Sequence, residues 1–88
     1  MKLRVAELFA GVGGFRRGLE QADHHLYDTV WFNQWEPATK IQRAHDIYAY
    51  RFYREHGDEP PELTNTDIFQ VTDEHMDQIP QHHLLVGG

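Results

Sequence analysis

An α/β fold built on a parallel sheet is what this sequence predicts, and three observations carry the prediction. Strand-like segments alternate with helical ones along the chain, the arrangement of right-handed βαβ units. A glycine-rich turn, Ala10-Gly-Val-Gly-Gly14, joins the first strand to the first helix. The 88 residues suffice for one domain, and a chain of this size buries only about 60–65% of its unfolded surface.

Taken in order, Leu3 to Phe9 alternates apolar and other residues and predicts a short strand. After the turn, Phe15, Leu19 and Ala22 share one face of a helix that ends near Asp23-His-His25. Tyr27 to Asn33 predicts a second strand, with Val30 and Phe32 on one face and Trp31 on the other. Pro37 suits the first turn of a helix, where a missing N–H costs nothing. That helix is expected to run to about Arg54, with Ile41, Ala44, Ile47, Tyr48, Arg51 and Phe52 inward. His56 to Pro61 is a loop, because glycine and two prolines stop regular structure. Thr66 to Phe69 reads as a short third strand, and Thr72 to Ile79 as a short helix capped by Thr72 or Asp73. His83 to Val86 is a last apolar strand before Gly87-Gly88. If it lies inside the sheet, its outer edge stays uncovered, which predicts a marginally stable or self-associating chain.

Charge and composition exclude several functions. The net charge is −6, all eight Lys and Arg lie at or before Arg54, and eight acids follow from Glu55 onward. DNA-gripping surfaces need clustered positive charge, so these residues do not read as one. The acidity suits a cationic small molecule, or is simply a solvated surface. There is no cysteine, hence no disulfide, thiolate metal site or cysteine nucleophile. No apolar run approaches the roughly 20 residues of a membrane span. Nor does the start carry the apolar stretch of a signal peptide, so a cytoplasmic protein is expected. The seven histidines include the adjacent pairs His24-His25 and His82-His83 but no His-x-x-x-His, so no metal is expected.

Three segments carry candidate chemistry. Phe9-Ala-Gly-Val-Gly-Gly-Phe15 lies at the carboxyl end of a strand, where open parallel sheets hold ligands, and leads into a helix N-terminus. It is neither Gly-x-Gly-x-x-Gly nor a P-loop; by itself it does not distinguish a ligand site from a plain strand-to-helix turn. Asn33-Gln-Trp-Glu36 follows about twenty residues later, where nucleotide-binding sheets place a residue for ribose hydroxyls. Trp35 there either stacks on an adenine or packs under the next helix. Asp67-Ile68 would meet an adenine at the end of the third strand, or Asp67 is an Asx-turn or helix cap.

Together these segments resemble the DNA (cytosine-5)-methyltransferases. Phe9-Ala-Gly-Val-Gly-Gly-Phe-Arg16 is similar to the family's first signature block, Asn33-Gln-Trp-Glu36 to the second and Asp67-Ile68 to the third. Leu84-Leu-Val-Gly-Gly88 is similar to the run-up to the fourth, which in the family continues Phe-Pro-Cys-Gln. The resemblance covers nearly the whole chain in the right order.

It implies the N-terminal part of a Rossmann-like sheet with helices on both faces, residues 1–88 being a partial cofactor-binding domain without the target-recognition region. The implied cofactor is S-adenosyl-L-methionine. Phe9, Ala10, Gly11, Val12, Gly13 and Gly14 would cradle it, with Gln34 at the ribose, Trp35 stacked on the adenine, and Asp67 and Ile68 at the base. The family often has glutamate where Gln34 stands; Glu36, two residues on, would assist or cap a helix. The implied reaction flips cytosine out of the duplex, attacks carbon 6 with a cysteine thiolate and methylates carbon 5. Without cysteine or a matching catalytic glutamate, no residue here is expected to be catalytic. The resemblance thus implies an inactive fragment of a restriction–modification enzyme, engaging DNA through its C-terminal part or a complementary polypeptide. A reading from another class is a stand-alone, non-catalytic module that binds an adenine cofactor.

Overall fold

A computed structural model describes residues 2–37 and 40–87. Its elements are strand β1 (Leu3–Leu8), helix α1 (Gly14–Asp23), strand β2 (Tyr27–Asn33), helix α2 (Arg43–Phe52), helix α3 (Ile68–Glu74) and strand β3 (Leu84–Gly87). Single 3₁₀ turns follow α2 at Arg54–His56 and α3 at Met76–Gln78. The three strands form one parallel sheet in the order β2-β1-β3. This is the expected α/β architecture, with a central first strand.

The alternation of side chains along β1 decides how the helices are placed. Ala6 and Trp31 point to one face and meet Val71 of α3, with Leu8, Leu63, Ile68 and Ile79 packed around them. Phe32 points to the other face and stacks on Tyr48 of α2 at 3.7 Å between ring centroids. Arg16 of α1 lies over the rings of Phe52 and Tyr53, which places α1 on the α2 side. Helices therefore cover both faces. Strand β2 carries an extra residue: Val5 pairs with Thr29 and Ala6 with Trp31, so Val30 is passed over. Such a bulge re-aims the residues beyond it, and here it sets Trp31 beside Ala6.

Three expectations are corrected. First, α2 begins at Arg43 rather than Pro37; Ala38 and Thr39 of the expected helix lie outside the described residues. The reason is local. The side chain of Gln42 binds both backbone groups of Glu36 (2.7 and 2.8 Å), and Glu36 Oε1 accepts the Ala44 N–H. Side-chain bonds of Glu36 and Gln42 thus compete with helical ones ahead of Arg43, and Glu36 serves as an end-group for α2. The inner face is His45, Tyr48 and Ala49, while Ile41 and Ile47 are exposed.

Second, there is no strand at Thr66–Phe69 among the described residues. Asp67 accepts the Phe69 N–H at 3.0 Å and starts helix α3, so a cap stands where the strand end was expected. Third, the helix expected over 72–79, with Thr72 or Asp73 as cap, is instead α3, ending at Glu74, and a separate 3₁₀ turn. Strand β3 runs as expected; Gly88, the last residue of the fourth block, lies outside the described residues. At its start, His83 Nδ1 accepts the Arg4 N–H and the His83 N–H donates to Arg4 O, extending the β1 pairing by one step.

Candidate functional site

The site lies beyond the carboxyl ends of β1 and β2, and the backbone at the end of β1 shapes it. Phe9 takes a left-handed conformation (φ 50°), uncommon for a residue with a side chain and costing about 1–2 kcal/mol. The turn holds its ring out of the sheet, 59% exposed. Ala10 returns to the sheet, its N–H on Asn33 O at 3.1 Å and its carbonyl accepting from Gly13. Gly11 and Gly13 are also left-handed, at φ 57° and 94°.

The two glycines serve different ends. A Cβ on Gly11 would meet nothing within 4 Å, so this backbone is open to an approaching molecule. A Cβ on Gly13 would stand 2.3 Å from Phe52 Cε2, so the turn is seated directly on α2.

Two hollows open at this end and share Phe9. The larger, about 570 Å³ and open to solvent, is lined by Phe9, Ala10, Gly11, Gly14, Phe15, Gly18 and Leu19. The smaller, about 190 Å³, is lined by Phe9, Asn33, Trp35, Pro37, Asp67, Ile68 and Phe69. Three aromatic rings with exposed faces (Phe9, Trp35 and Phe69) surround this second hollow. Flat apolar walls with one carboxylate suit a heterocyclic ring bearing a donor.

Most residues singled out in the sequence thus come together. Phe9, Ala10, Gly11 and Gly14 line the larger hollow; Phe9, Trp35, Asp67 and Ile68 line the smaller. Gln34 bridges the two segments, its Oε1 accepting the Gly11 N–H at 2.7 Å. Gln34, Val12 and Gly13 line neither. Val12 lies outward, 43% exposed, and Gly13 is turned to α2. Asp67 keeps its place although it caps a helix, because one oxygen suffices for the cap.

Phe69 was missed, and Phe15, though part of the first segment, was given no place in the site. Phe69 is 75% exposed; the signal lay in an aromatic two positions after Asp67, at the end of the expected strand. Asn33 was read as part of the second segment without a role. Its Nδ2 donates to Leu63 O and Thr66 O (3.2 and 2.7 Å), pinning the Asp67 segment to the end of β2.

One buried group sits beneath the turn. Glu7 is 1% exposed and receives the Tyr48 O–H at 2.9 Å. Burial raises its pKa above the ordinary carboxylate value, while Tyr48, the amides of Arg16 and Phe15 and the Arg16 charge pull it down. Among the described residues its Oε2 receives no well-directed hydrogen bond. Burial also pushes the Tyr48 phenol up, so Tyr48 stays a donor. Among the described residues no three His, Asp or Glu side chains gather as a metal would require, and no helix is long and apolar enough to cross a membrane.

Comparison with known proteins identifies a family. Residues 3–88 match the C-5 cytosine-specific DNA methylase family. The type II methyltransferase M.Sau3AI of Staphylococcus aureus is 48% identical over 99% of this chain. The type II methyltransferase M.HhaI of Haemophilus parahaemolyticus is 36% identical over 98% of it. The chain spans about one fifth of each relative, 19% and 20%. No solved structure matches at a significant level.

Proposed function

Since the chain belongs to the C-5 cytosine-specific DNA methylase family, we propose that residues 1–88 are the cofactor-binding part of an enzyme that methylates carbon 5 of cytosine in DNA. The observation that carries the proposal is the convergence of the open glycine turn, Trp35 and Asp67 on two hollows joined by Phe9, with Gln34 bonded to the turn at Gly11. S-adenosyl-L-methionine, when bound, supplies the methyl group. The residues fit it: the smaller hollow offers aromatic faces for adenine, and the larger offers bare glycine backbone for the amino-acid part.

In this reading Phe9, Trp35, Ile68 and Phe69 hold the adenine ring, and the second Asp67 oxygen accepts from its amino group. Gln34 reaches the ribose. Ala10, Gly11 and Gly14 form the floor under the methionine portion, and Val12 and Gly13 keep the turn in shape. The chain contains no cysteine, so the thiolate that attacks carbon 6 comes from outside these residues, as do the groups that read DNA. The 88 residues alone are therefore inactive. The type II names of both relatives support a place in a restriction–modification system, and such an enzyme works in the cytoplasm on the cell's own DNA.

Calorimetric titration with S-adenosylmethionine and NAD tests the first part: saturable binding of the former alone is expected, and preference for NAD would sink it. Adding a polypeptide that carries the rest of the domain should restore methylation of duplex DNA. A well-folded, cofactor-binding pair without activity would leave only a non-catalytic binding module.

A further inference from the structure

The Gln34 side chain has only one way to satisfy Gly11. A backbone N–H donates and never accepts, so the atom 2.7 Å from Gly11 N is the amide oxygen. The backbone of Gln34 is held as firmly. Its N–H donates to Thr64 O at 2.8 Å, and its carbonyl accepts from Asn65 Nδ2 at 2.8 Å. With both ends fixed, Nε2 is left as the free end of the group; no described residue provides it with an acceptor. Gln34 directly follows β2, where nucleotide-binding sheets reach ribose hydroxyls.

Resting on the cofactor reading above, we infer that Gln34 gives the ribose subsite donor polarity: Nε2 donates to a hydroxyl oxygen of the ligand, and the hydroxyl hydrogen is not recognised. A carboxylate at this position has lone pairs enough to accept from Gly11 and from a hydroxyl together. An amide has a single oxygen; with it turned to Gly11, Nε2 is the end left for the ligand, and the second bond reverses. The ligand group required here is any oxygen acceptor. A methoxy group qualifies; a hydrogen does not.

The test is calorimetric binding of S-adenosylhomocysteine and of its 2′- and 3′-deoxy and O-methyl analogues to the wild-type protein and to Gln34→Glu. In the wild type the deoxy analogue of the recognised hydroxyl binds about 3- to 10-fold more weakly than its methoxy counterpart, the worth of one neutral hydrogen bond. Gln34→Glu reverses that order, because neither ligand offers the carboxylate a hydrogen and the methoxy oxygen turns lone pairs towards it. Comparing the same two ligands in both proteins cancels the bulk of the methyl group. An unchanged order at both hydroxyls overturns the inference while leaving the cofactor reading intact; no saturable binding of S-adenosylhomocysteine overturns both. Amide exchange of Gly11 checks the anchor without ligand. Protection in the wild type and Gln34→Glu, and faster exchange in Gln34→Ala, is expected; fast exchange in the wild type overturns it.

Discussion

On the α2 side of the sheet, Phe32 stacks on Tyr48, Tyr48 donates to Glu7, and Arg16 hydrogen-bonds Tyr53 while lying over Phe52. On the α3 side, Trp31 and Ala6 meet one wholly buried helical residue, Val71, and Met76 and Leu85 remain open to solvent. The first face is ordered by directional contacts among rings and polar groups. The second depends on apolar area, which is non-directional and here only partly covered. Damage should therefore take different forms on the two faces: altered geometry and pH response on one, loss of buried area on the other.

The largest expected effect is on the α3 side. Trp31→Ala removes a ring that is 1% exposed and a bond from Nε1 to Glu62 O at 2.9 Å. It should cost about 3–5 kcal/mol in urea unfolding. Leu85→Ala, on the same face but 57% exposed, should stay within about 0.5 kcal/mol. Equal losses would break the distinction between covered and uncovered parts of that face.

Next comes the seat of the glycine turn on α2. Gly13→Ala meets both a left-handed backbone, about 1–2 kcal/mol, and overpacking against Phe52, about 1–3 kcal/mol. Gly11→Ala meets the backbone term alone, since nothing lies within 4 Å. Phe52→Leu should recover part of the Gly13→Ala loss and none of the Gly11→Ala loss, read as melting temperatures. Equal losses for the two glycines would deny the contact its role.

The smallest effects concern two buried titrating groups of the α2 face. Burial raises Glu7 above the ordinary 4.5. As pH climbs from there towards the raised value, the folded chain holds more protons than the unfolded one, and stability falls. Glu7→Gln should flatten that decline. Burial lowers His45 below 6.5, with Asp46 opposing and Arg54 adding to it. As pH falls through 6.5 towards the lowered value, the unfolded chain takes up more protons, and stability falls. His45→Gln should remove that loss. Denaturation midpoints across pH for the two variants check both slopes.

Much of this was legible in the residues. The glycine turn, the strands at Leu3, Tyr27 and Leu84 and the opposite facing of Trp31 and Phe32 follow from spacing alone. What escaped was decided by single side chains bonding to backbone. Gln42 and Glu36 delay α2, and Asp67 turns an apparent strand into a helix. His45 displaces isoleucines from the inner face because its Nε2 meets Thr64 Oγ1 at 2.9 Å, a partnership nineteen residues away that no periodicity records. The candidate site was legible because its residues cluster in short segments. Phe69 was not, since its value depends on α3 carrying it to the hollow of Trp35.

The two tryptophans of the chain sit in optically different places. Trp31 is enclosed, its indole N–H tied to a carbonyl, and should emit at short wavelength, beyond the reach of acrylamide until the sheet opens. Trp35 is 38% exposed on the wall of the smaller hollow. It should emit further to the red, be quenched readily in solution and be shielded when a flat ring enters. One molecule thereby carries two colour-separated reporters, one for the integrity of its fold and one for occupancy of the hollow.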